Sequence, residues 1–83
     1  MKIVQHRPVY WECTVDGHKK FWAAQVIENK TKSTIVYTLI RKWGMIGTAG
    51  QKMEQTFNGL YDAQTALEKL IWEKESKGYK AIF

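Results

Sequence analysis

Residues 51–78 read QKMEQTFNGLYDAQTALEKLIWEKESKG, and within this stretch the period of the chain changes. Gln51 to Phe57 suits a strand, and Asn58-Gly59 closes it, with Asn58 a candidate N-cap. Beyond that point Leu60, Ala63, Leu67, Leu70, Ile71 and Lys74 recur at i, i+3, i+4 spacing, with Ala66 beside the stripe. That is the apolar face of an amphipathic helix. The spacing predicts a helix over 60–77, with Leu67, Leu70 and Ile71 buried against its neighbour. Asp62 sits in the first turn and Lys77 in the last, where the helix dipole favours each sign of charge. Gly78 is a natural stop.

Working back from Gln51, the chain looks like strands joined by short turns. Val9, Trp11, Cys13 and Val15 alternate with the more polar Tyr10, Glu12, Thr14 and Asp16, as in a strand with one buried face. Asp16-Gly17 is a turn signal. Lys20 to Ile27 and Thr34 to Trp43 are rich in aromatic and branched residues, and the polar run from Glu28 to Ser33 separates them. Tyr79 to Phe83 has room for a short last strand or tail. The expectation is an α+β domain: a twisted antiparallel sheet of four to five strands with one amphipathic helix packed on it. The chain, 1–83, has length for one core only, with 1–8 as an N-terminal extension and 9–83 as the core.

Charge separates the two halves. Residues 1–52 carry nine basic and three acidic side chains, and residues 53–83 carry four basic and five acidic. A basic N-terminal portion favours polyanions, nucleic acid above all. Cys13 is alone, so there is neither an internal disulfide nor a thiolate set for structural zinc. Neither a secretory apolar region nor a run of membrane-spanning length occurs, so a cytoplasmic protein without membrane contact is expected.

The third strand runs into Arg41-Lys42-Trp43-Gly44-Met45-Ile46-Gly47-Thr48-Ala49-Gly50-Gln51, followed by Phe57, the Ala- and Leu-striped helix, and Lys77-Gly78-Tyr79. With Lys20-Phe21-Trp22 opening the second strand, this order resembles the WGR domain family over roughly residues 9–83. That family occurs beside the catalytic domain of poly(ADP-ribose) polymerases, in molybdate-metabolism regulators, and as free-standing bacterial proteins. The resemblance implies contact with nucleic acid, DNA before RNA. It also implies that Trp43 matches the family's signature Trp, which stacks on the sugar at a strand end. The family's signature Arg falls on Met45, which offers adaptable apolar surface in place of a fixed charge and five donors.

The residues themselves leave two readings open at most of these positions. Trp43 is either a platform beside Gly44 or a core side chain covering the end of the sheet. Lys19, Lys20, Arg41, Lys42 and Lys52 form one phosphate-binding patch if their strands are neighbours, or else a solvated face. Gly44, Gly47 and Gly50 match neither a P-loop nor a dinucleotide fingerprint and read as turn formers. His6 and His18 have no Asp or Ser constellation in sequence reach, and nothing resembles a nucleophile with a base, so neither enzyme activity nor a cofactor is expected. Trp72 lies near the rim of the helix stripe. An exposed Trp72, with Tyr61 and Met45, is the mark of the alternative function, a protein-interaction module.

Overall fold

The period change at Asn58-Gly59 separates sheet from helix in the structure too. The computed structural model describes residues 2–3 and 9–83, so His6, Arg7 and Pro8 lie outside the described residues. The strands are β1 (Lys2–Ile3), β2 (Tyr10–Cys13), β3 (Lys20–Lys30), β4 (Ile35–Met45), β5 (Gln51–Phe57) and β6 (Lys80–Ala81), and the helix is α1 (Leu60–Ser76). Every pairing is antiparallel, in the order β5-β4-β3-β2-β6, and β1 adds to β3 beside the 9–83 core.

The helix buries its stripe on one face of this sheet. Ala63, Leu67 and Ile71 meet Trp11, Trp22, Ala24, Val26 and Leu39, all of them buried. Burying a side chain such as Leu67 or Ile71 is worth ~1.5–3 kcal/mol each. Trp11 and Trp22 are cross-strand partners with ring centroids 4.8 Å apart. The indole Nε1 of Trp11 donates to Glu75 Oε2 at 3.1 Å, which gives a buried donor its partner and ties the end of α1 to β2.

Several local expectations change. Val15 leaves the buried face because residues 15–17 form a 3-10 turn, with Asp16 and Gly17 both at positive φ. Strand β3 continues through Glu28, Asn29 and Lys30, which pair with Tyr37, Val36 and Ile35, so ladder hydrogen bonds override the polar composition. The helix N-cap is Gly59 without a side-chain bond, and not Asn58. Leu70 is only half-buried.

The far end of α1 closes as a Schellman motif. Tyr79 N–H reaches the Lys74 carbonyl at 3.1 Å, Gly78 N–H reaches that of Glu75 at 3.2 Å, and Gly78 has φ +101°. At the β4–β5 turn, a Cβ on Gly50 would stand 2.3 Å from the Trp43 carbonyl oxygen, and one on Gly44 would stand 2.8 Å from the Gly50 Cα. The two backbones pass too closely for side chains, which supports the turn-forming reading of these glycines. Among the described residues, no helix is long and apolar enough to cross a membrane.

Candidate nucleic-acid interface

Strand alternation assigns each basic residue to a face. Trp22 and Ala24 look toward the helix, so their β4 partners Trp43 and Arg41 do too. Cys13, Lys20 and Met45 form the next row on that face, through the pairs Cys13↔Lys20 and Lys20↔Met45. Lys42 pairs with Ala23 and with Lys52, so both lysines point away from the helix. Lys19 precedes β3, and its carbonyl accepts the Ile46 N–H at 2.9 Å. The single patch therefore does not form. Lys20, Arg41, Trp43 and Met45 come together; Lys42 and Lys52 occupy the opposite face.

The helix supplies what the strands lack. Trp43 lies half-buried, with one side packed on the core, and lines two clefts. One, of about 300 Å³, lies between it and Arg41, Leu70, Glu73, Lys74 and Lys77. The other, of about 340 Å³, is walled by Lys20, Trp43, Met45, Lys74 and Tyr79, with Gly44 contributing at the β4 end. Met45 is 64% exposed at its rim. Lys74 and Lys77 escaped the sequence reading, although Lys74 gave a signal: it occupies a position on the apolar stripe where a hydrophobic residue would ordinarily stand.

The electrostatics of this face are cationic. Burial pushes the Lys74 ammonium below the ordinary lysine range, and Lys77, Arg41 and Lys20 push the same way while Glu73 opposes them. Lys74 thus feels three other cations and one carboxylate across this face. The two ion pairs described, Lys30–Glu28 and Lys52–Glu54, involve none of the four. Arg41 Nε is buried without a hydrogen-bond partner, and the end of its guanidinium touches the Met53 sulfur. The Arg41 side chain also lines the cleft of about 300 Å³, where a guanidinium presents donors suited to an anion. Lys74 Nζ lies 5.3 Å from the centroid of the Tyr79 ring, a cation–π contact.

Among the described residues, no group of three His, Cys, Asp or Glu side chains could hold a metal. The arrangement is a cationic cleft with an aromatic floor on a small α+β module. The sequence profile of the WGR domain matches residues 8–82, so the chain belongs to the WGR domain family. A crystal structure of a protein from Bacteroides fragilis is similar, with TM-score 0.76 and 27% identity over 93% of this chain. The chain spans 20% of that protein's own. Among the curated proteins, none matches this chain.

Proposed function

We propose that this chain is a non-catalytic nucleic-acid-binding module, with DNA preferred over RNA, and that Lys20, Arg41, Trp43, Lys74 and Lys77 form its contact face. The observation that carries the reading is the half-buried Trp43, with clefts on two sides and those four cations around it. Phosphates need point charges, and sugars or bases need a flat apolar surface; this face offers both within one strand–helix seam. The clefts lie at the small end of the ~300–1,000 Å³ typical of small-molecule sites, which suits a sugar-phosphate unit better than a cofactor. Among the described residues neither a recognition helix nor a zinc finger stands ready for the major groove, so little sequence preference is expected.

Anisotropy titration of nicked, blunt-ended and single-stranded DNA across salt concentrations tests this. Four neutralised phosphates give a log–log slope of about −3 to −4. Absence of binding at low salt, or an affinity indifferent to salt, would overturn the proposal. The second reading, a protein-interaction module, is favoured by the outer face of α1. Trp72 is 70% and Tyr61 79% exposed there, three helical turns apart on one side.

A further inference from the structure

Strand β5 lies at the edge of the sheet. It pairs with β4 along one side, and no described strand pairs with the other. Gln51 to Thr56 are exposed at every position. The strand is seven residues long, contains no Pro, and keeps an unbroken register from Trp43↔Gln51 to Tyr37↔Phe57. Proteins blunt such edges with short strands, prolines, bulges or charges. Only charges are present here, and they are of opposite sign: Lys52 and Glu54, two residues apart on one face, joined at 2.9 Å.

Those two charges select a partner. Consider two copies meeting antiparallel, edge to edge, about a two-fold axis at Met53. Lys52 of each copy then faces Glu54 of the other, Gln51 faces Gln55, and Met53 faces Met53. Centring on Lys52 or on Glu54 instead sets like charges opposite each other, which is unfavourable. Within one chain Lys52 already lies across from Lys42, a like-charge cross-strand pair, so it gains from a second carboxylate on its open side. We propose that β5 is a self-docking edge, through which two copies of this chain join in the Met53-centred register to make one continuous sheet. The two-fold axis stands perpendicular to the sheet, so both helices and both Trp43 clefts open on the same side. Strand spacing and rise put the two Trp43 Cα atoms about 20 Å apart.

Sedimentation of the full chain from micromolar to millimolar concentration tests this, using the wild type, Lys52→Glu, Glu54→Lys and the double exchange. Each single reversal sets like charges against each other and should weaken dimerisation about tenfold. The double exchange recreates both opposite-charge pairs and should restore it. Both altered positions are exposed, and unchanged denaturation midpoints confirm that the variants fold. A wild type that stays monomeric throughout, single reversals that dimerise like the wild type, or a double exchange no better than the singles would each overturn the proposal. Met53→Cys tests the register. Opposed Cα atoms in an antiparallel pair lie at ~4.5–5.5 Å, within disulfide reach, so oxidation should link two copies covalently. Failure of that link to form would overturn the Met53-centred pairing.

Discussion

Lys20 and Met45 are cross-strand partners between β3 and β4, and both line the cleft beside Trp43. A flexible cation therefore stands across the ladder from the position where the family carries its signature Arg. Of Arg41, Lys42 and Lys52, the charges that flank this loop in sequence, only Arg41 faces the helix side; Lys42 and Lys52 face the other way. Lys20 on the neighbouring strand and Lys74 on the helix are the cations that line the cleft with Met45.

Restoring the Arg is the most direct check of this geometry. Met45 is at the cleft rim, so a longer side chain there has room to extend. Met45→Arg should tighten DNA binding and steepen its log–log salt dependence by about one unit. Binding that is unchanged in both respects would remove Met45 from the interface.

The two sheet faces can be told apart by paired substitutions. Lys20→Gln with Lys74→Gln should flatten the salt slope by nearly two units, at about 0.9 per phosphate contact. Lys42→Gln with Lys52→Gln removes the same charge from the opposite face and should leave the slope almost unaltered. The reverse ordering, read from titrations at four or five salt concentrations, would move the interface to the helix-distal face.

Trp43 is both packed and accessible, so its substitutions need two readouts. Trp43→Ala should weaken binding by ~1–3 kcal/mol through lost stacking. It should also cost less stability than the ~3–5 kcal/mol typical of a fully buried Trp. Trp43→Phe keeps an aromatic surface and should recover most of the affinity. If Phe recovers stability but none of the affinity, the ring is structural only.

The lowered pKa of Lys74 gives a pH signature. Burial penalises its charged form in the folded chain, so between its folded and unfolded pKa values the unfolded chain holds more protons. Stability should therefore rise with pH through that window, which lies below and up to the ordinary lysine value of ~10.4. A bound polyanion favours the charged form, so complex formation should take up protons in the same range. Lys74→Met should lose both effects, seen as the difference in denaturation midpoint and in proton uptake between the two proteins. Identical pH profiles for wild type and variant would refute the assignment.

Packing makes a further distinction between neighbouring leucines. Leu67 is buried under the helix, while Leu70 reaches the cleft and is half-buried. Leu67→Ala should cost ~2–5 kcal/mol, and Leu70→Ala clearly less, because its site already opens to solvent. Equal shifts in chemical denaturation would contradict the placement of Leu70.

Much of this architecture was legible from side-chain period alone. The helix stripe from Leu60 to Ile71 and the alternation of Trp11 with Cys13 each signalled a buried face, and Ala63, Leu67, Ile71, Trp11 and Cys13 are buried. What escaped was set by partners distant in sequence. Glu28 to Lys30 look like a break until β4 supplies their ladder bonds. Val15 looks like a strand position until the Asp16-Gly17 turn takes it out. The basic patch failed for a related reason: adjacency of strands was foreseen, but Arg41 and Lys42 are consecutive and so point to opposite faces. Lys74 and Lys77 joined the site only through the packing of α1, which no local pattern places beside Trp43.

The closure of the helix has a consequence for the entropy of binding. Lys74 holds Tyr79 twice: its carbonyl accepts the Tyr79 N–H, and its ammonium rests over the Tyr79 ring. A free lysine carries ~2 kcal/mol of rotamer entropy, most of which a ligand must freeze before the charge is useful. Tyr79 restricts much of that freedom in the unliganded chain, so the Schellman turn that ends α1 also preorganises the cation beside Trp43. An anion arriving there meets a charge already held in position.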